Sequence, residues 1–250
     1  MSFESKKNFF LLTFGQFISV IGDRISTVVF ISLVIAIVGN SQTTYQSSLL
    51  VALQIIPFFL FGYIFGFFAD IFEKRKILIF ADISRALVIM FLFFFHESLV
   101  IIYICVFLIG LLTSMFEPAR KSILPFIVEK NNLIFYNKVY ATLEIFAIMI
   151  GLFVGTFLLK FISIQKALVL DAMTYLFSLL LIFFIRYKDE SKVLEKRDKF
   201  KKFKEKFKTY RQDLKHGIRY LREHDNVKFV IINLILFHFL ASAVYFTTIN

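Results

Sequence analysis

Apolar residues in this chain neither alternate nor keep to one helical face; they run in long blocks. The blocks cover about Phe9–Val38, Ser47–Ala69, Ile77–Phe95, Leu99–Phe116, Val139–Leu159 and Ala167–Ile185, and a seventh opens near Val227. Charged and polar residues crowd the short stretches between them. A helix of about 20 apolar residues crosses ~30 Å of hydrocarbon at roughly 1.5 Å per residue. The pattern predicts an all-α polytopic membrane protein. Residues 1–186 form a six-helix bundle, 187–226 a basic central segment, and 227–250 a seventh transmembrane helix. Pro57 falls inside the second block, where it frees a carbonyl that neighbours must satisfy. Pro118 is expected to stop the fourth helix.

Composition agrees with the blocks. The chain is 58% hydrophobic and carries 36 Phe, more apolar surface than a soluble domain of 250 residues buries. Its one cysteine, Cys105, supplies neither a disulfide nor a thiolate metal site. Lys6 and Lys7 precede an apolar block too long for a signal-peptide core, so the first block reads as a retained membrane span.

Charge sets the expected orientation. With the N-terminus inside, 25 of the 29 Lys and Arg residues fall in inner segments, and only Lys160 and Lys166 fall outside. Arg24 and Arg85 lie within helices. The net charge of +11 then needs no nucleic-acid partner. In the central segment, Phe200, Phe203, Phe207, Tyr210, Leu214, Ile218 and Leu221 recur at three- and four-residue spacing among Lys and Arg. That is a basic amphipathic helix, either a solvated linker or one that docks on the anionic inner leaflet.

Ionisable groups inside a membrane are costly and point to function. Asp23 in helix 1 is the leading candidate for a proton or cationic-substrate site, and Glu144 in the inner part of helix 5 is the second. Asp171, a few residues into helix 6, is a third candidate for which an interfacial role is expected. Asp82 and Arg85 stand at i, i+3 on helix 3 and are expected to pair. Gln16 and Gln54 could line a cavity. His96, His216, His224 and His238 have no metal-ligand spacing, and no phosphate-binding loop is present, so no enzyme site or ATP drive is legible.

The turn between helices 2 and 3 reads Gly62-Tyr-Ile-Phe-Gly66-Phe-Phe-Ala69-Asp70-Ile-Phe-Glu73-Lys74-Arg75-Lys76. Gly62 and Gly66 permit close helix approach. So short a turn makes the two helices antiparallel neighbours, and its charges can form a network that locks one state. The pattern resembles the signature loop of the major facilitator superfamily, with Gly62, Gly66, Asp70, Lys74 and Arg75 as the gating motif. Ile71 and Glu73 depart from it, where the family usually has a basic residue and glycine.

Further stretches are similar to the macrolide-efflux and enterobactin-exporter branch. They are Gly15-Gln16 through Gly22-Asp23, Asp82-x-x-Arg85-Ala86, Pro118-Ala119-Arg120 through Pro125, Leu170-Asp171-Ala172, and Asp213 through Leu221. Ala147, Gly151 and Gly155 on helix 5 resemble the exporter motif, with Leu152 and Thr156 replacing its proline and last glycine; a small-residue helix contact explains the spacing equally well.

The resemblance implies two inverted three-helix repeats within the bundle. It also implies proton-driven export of amphiphilic, drug-like or siderophore-like molecules from a bacterial plasma membrane, with the proton gradient in place of a cofactor. Such transporters bind substrate between two halves. The chain carries one half and one further helix, so it is expected to need a missing C-terminal half or a second chain. A membrane-embedded interaction or regulatory fragment that does not transport is the alternative.

The orientation is directly testable. Single-cysteine variants at Lys76 and Lys166, in a Cys105→Ser background, should separate under a membrane-impermeant thiol reagent added to intact cells. Position 166 should label and position 76 should not; the reverse result would overturn the N-inside reading.

Overall fold

The computed structural model describes residues 3–39 and 43–187, and a scattered set between 216 and 236. It divides into two compact units, Met1–Lys192 and Val193–Asn250. The first unit holds six helices long and apolar enough to span a membrane. They are α1 (Phe3–Val38), α2 (Thr43–Ile71), α3 (Lys74–Phe95), α4 (Leu99–Ile127), α5 (Leu133–Leu158) and α6 (Ile164–Phe183), with a 3-10 turn at Lys130–Asn132 before α5. In the second unit residues 225–230 are helical. The amphipathic positions 200–221 and the greater part of the expected seventh helix lie outside the described residues.

The first six blocks found by hydropathy are all helices, but two expectations about helices 2 to 4 fail. First, α4 does not stop at Pro118; it continues through Pro118 and Pro125 to Ile127. Proline at 118 forfeits the bond to the Ser114 carbonyl. Ser114 and Pro118 both line an open cavity, where irregular backbone is tolerated in a membrane protein. The hydroxyls of Thr113 and Ser114 also donate back to the Ile109 and Leu111 carbonyls, at 2.8 and 2.7 Å. Second, α2 and α3 meet only around their short connection, while α2 packs along α4. A Cβ added at Gly62 or Gly66 would meet nothing within 4 Å, so this glycine pair brings no helix close within the unit.

The packing order is α2 on α4, α4 on α3, α3 on α6, α6 on α1 and α1 on α5. Exchanging α1–α3 for α4–α6 maps these pairs onto themselves, which is the arrangement two three-helix repeats produce. The α1–α5 and α2–α4 pairs face each other across a gap, backed by α3 and α6.

The close approaches are carried by other glycines. A Cβ at Gly110 of α4 would collide with the Gln54 carbonyl of α2. Gly151 and Gly155 of α5 press on α1, where added Cβ atoms would sit 2.8 Å from the Ile21 carbonyl oxygen and 3.1 Å from the Ile25 Cα.

The core has two apolar ends. One gathers Val29, Phe30, Leu33, Leu50, Ile89, Ile102 and Ile109. The other gathers Leu12, Ala69, Leu78, Phe116, Ile123 and Ile182. In α1, α3, α4 and α6, buried polar residues intervene between them: Ser19, Asp82, Arg85, Ser114 and Ser178.

Gly110→Val should therefore destabilise the bundle by about 1–3 kcal/mol through overpacking against backbone, whereas Gly62→Val should not. Detergent-solubilised thermal unfolding of the two variants checks this; equal losses would contradict the packing of α2 on α4.

Candidate functional site

Arg85 lies near the middle of α3 and its side chain is 0% exposed. A buried guanidinium needs charge and hydrogen-bond partners. Its Nη2 donates to Asp82 Oδ1 one turn earlier, so the expected i, i+3 pair is present. Its Nη1 is 4.0 Å from Asp23 Oδ2 on α1. Its Cζ lies 4.5 Å from the ring centres of both Phe116 on α4 and Tyr175 on α6. Tyr175 in turn donates its hydroxyl to Asp23 Oδ1. One guanidinium thus joins α3 to α1, α4 and α6.

Asp23 lies near the middle of α1. Its side chain is 15% exposed and reaches the cavity. Asp171 does not take the interfacial place expected of it. It is fully buried against α1, where Ser26 donates to its Oδ2 and Thr174 donates to its Oδ1 at 3.4 Å. α6 starts at Ile164, so Asp171 stands two turns into the helix, beside Thr174 on the face that packs on α1. Gly22 supplies the space, since a Cβ there would sit 2.5 Å from Asp171 Oδ1.

The cavity has a volume of about 450 Å³, within the range of small-molecule sites, roughly 300–1,000 Å³. Gln16, Asp23 and Arg24 reach it from α1, Phe58 and Gly62 from α2, Glu117 and Lys121 from α4, and Glu144 from α5. Gln54 is not on its lining; its backbone packs on Gly110 instead. Because α5 starts at Leu133, Glu144 stands near the middle of its helix rather than in its inner part.

Several of these groups were not legible in the sequence. Glu117 stands within α4, just before the proline at which that helix was expected to stop. It accepts from Arg120 Nη2 at 2.6 Å and lies 4.0 Å from Lys121. Arg120 is buried, with its Cζ 3.7 Å from the Tyr140 ring centre. The i, i+3 spacing of Glu117 and Arg120 was the available signal. Nothing in the sequence pointed to Tyr175.

The loop between α2 and α3 is tied to the ends of α4 and α6. Glu73 pairs with Lys76 at 3.2 Å. Lys74 is buried, with its ammonium 5.1 Å from the Phe126 ring of α4. Arg75 donates through Nη2 to the Phe183 carbonyl at the end of α6, and its backbone N–H donates to the Tyr187 hydroxyl at 3.3 Å. Asp70 is exposed at the end of α2. No group of three or more His, Cys, Asp or Glu among the described residues could hold a metal ion.

Six membrane-length helices around a polar cavity, with a buried charge layer behind it, define an all-helical polytopic membrane protein. The family model described as Major Facilitator Superfamily matches residues 12–250, and the chain belongs to that family. It is similar to a Bacillus subtilis (strain 168) protein described as "Uncharacterized MFS-type transporter YkuC", at 26% identity over 243 residues. The match covers 96% of this chain and 55% of that protein, so the chain spans about half the length of the curated relative it matches. No solved structure matches.

The charge layer gives a stability test. Removing Arg85 leaves buried carboxylates unpaired, so Arg85→Gln should cost about 3–5 kcal/mol. Asp82→Asn together with Arg85→Gln should cost clearly less than the two single losses combined. Additive losses in thermal unfolding would show that the pair does not act as a unit.

Proposed function

We propose that the chain forms one bundle of a secondary transporter that exports an amphiphilic, drug-like or siderophore-like molecule in exchange for protons. It would lie in a bacterial plasma membrane with its N-terminus in the cytoplasm. A second bundle, from a C-terminal half or another chain, would close the open side of the cavity and complete the path. The proton gradient supplies the energy, and no bound cofactor is called on.

The observation that carries the reading is the double engagement of Asp23. It opens into the cavity and also contacts the buried layer through Arg85 and Tyr175. Protonating Asp23 cancels its attraction for Arg85, which then keeps Asp82 as its one carboxylate partner among the described residues. A proton arriving from the cavity can thereby alter the packing of α1 against α3 and α6. Glu144 is the second proton carrier in this scheme, on the opposite wall from Glu117. Asp171 acts from behind, holding α6 to α1 next to Asp23.

The motif Gly62, Gly66, Asp70, Lys74 and Arg75 would serve as the gate at the inner end. Lys74 and Arg75 form its fixed side, on the ends of α4 and α6. The open faces of Gly62 and Gly66 would receive the second bundle closely.

Efflux of a fluorescent lipophilic cation from cells expressing the gene tests the reading. Efflux should collapse with a proton uncoupler and fall at least tenfold in Asp23→Asn at equal membrane abundance. Efflux that ignores both the uncoupler and the substitution would rule out proton coupling through Asp23.

A further inference from the structure

The cavity walls carry five charged side chains, and three of them are committed. Asp23 is held by Tyr175 and Arg85. Glu117 and Lys121 pair with each other at 4.0 Å, and Glu117 also accepts from Arg120. Arg24 on α1 and Glu144 on α5 remain; among the described residues neither has an ion-pair partner within 4.0 Å. Arg24 Nε is buried and has no hydrogen-bond partner. Glu144 feels the charges of Arg120, Lys121 and Arg24 without closing an ion pair with any of them, and a cavity that keeps one guanidinium and one carboxylate out of close contact is matched to a ligand bearing both signs.

The spacing narrows the class. Arg24 lies beside Gly151, where an added Cβ would sit 2.7 Å from the Arg24 Cβ. Glu144 is two turns earlier on α5, roughly 10 Å along the axis at about 1.5 Å per residue. The two side chains converge on one cavity from the neighbouring helices α1 and α5. Phe58, Val20 and Pro118 supply apolar wall.

We propose that the cavity recognises an amphiphilic zwitterion with an apolar body, its anionic group taken by Arg24 and its cationic group by Glu144. This deepens the transport reading and rests on it for the biological role, but binding can be measured without transport. Arg24 is then a specificity-determining residue: it favours an acid over its neutral ester.

The probes are rhodamine B, a zwitterion through its benzoate and delocalised iminium, and its ethyl ester, a cation of nearly the same shape. Equilibrium dialysis against the purified protein in detergent at neutral pH, with no gradient, gives both affinities. The acid should bind about tenfold tighter than the ester, one ion pair's worth of affinity. Arg24→Gln should bring the ratio of affinities close to one, and Arg24→Lys should restore most of it. Glu144→Gln should weaken both dyes.

An ester bound as tightly as the acid, a ratio unchanged in Arg24→Gln, or no binding of either dye to folded protein would each overturn the proposal. A general packing role for Arg24 would instead lower both affinities together, in Arg24→Lys as in Arg24→Gln. Uncoupler-sensitive efflux that persists while acid and ester bind equally would sink this inference alone. Acid preference without coupled efflux would sink the transport reading alone.

Discussion

The bundle depends on how a buried guanidinium finds its charge partners. Arg85 sits midway along α3 with no exposure, and an isolated charge there would cost many kcal/mol. Its partners come from three other helices as well as its own: Asp23 on α1, Phe116 on α4, Tyr175 on α6 and Asp82 one turn back. Each partner must reach the same point, which fixes the relative depth of all four helices. Apolar packing alone specifies depth poorly, because one Leu or Ile layer resembles the next. The charged layer removes that degeneracy.

With α1, α3, α4 and α6 registered by this layer, α2 and α5 are left to be placed by surface shape. Neither contributes a side chain to that layer. Small residues choose their partners instead. Gly110 admits the α2 backbone to α4, and Gly151 and Gly155 admit the α1 backbone to α5. The two contacts are equivalent under exchange of the three-helix repeats. They leave a gap between the α1–α5 and α2–α4 pairs, and the cavity occupies it.

The sequence carried the number and type of these helices clearly, since block length and hydropathy are local properties. It carried the Asp82–Arg85 pair for the same reason. It did not carry the third member, Asp23, because nothing local brings α1 to α3. Glycine spacing was ambiguous in a second way. Gly62 and Gly66 have the same four-residue spacing as Gly151 and Gly155, yet only the second pair meets a neighbour within the unit. Spacing shows that a face is small, not what lies across from it. Pro118 misled because a proline's cost depends on whether the freed carbonyl is buried in lipid or beside a wet cavity. The short turn after α2 misled because it fixes where α3 begins and says nothing of which helix α2 lies along.

The bundle is also tied at both ends. At one end Asn8 of α1 brackets Arg186, donating to its carbonyl at 2.5 Å and accepting from its N–H at 3.2 Å. Beside it, Arg75 of α3 binds the Phe183 carbonyl at the end of α6, where a cation also meets the negative end of the helix dipole. At the other end the His96 ring and the Gln165 amide lie 3.2 Å apart, joining the α3–α4 turn to the start of α6. Tyr103 of α4 donates to Gln46 of α2. A body laced at both ends and through its middle resists internal shear, since close-packed interiors shift between discrete arrangements rather than deform smoothly. Any large motion that opens or closes the cavity therefore falls to the open face between α1–α5 and α2–α4. Asp23 is placed where that face meets the lacing.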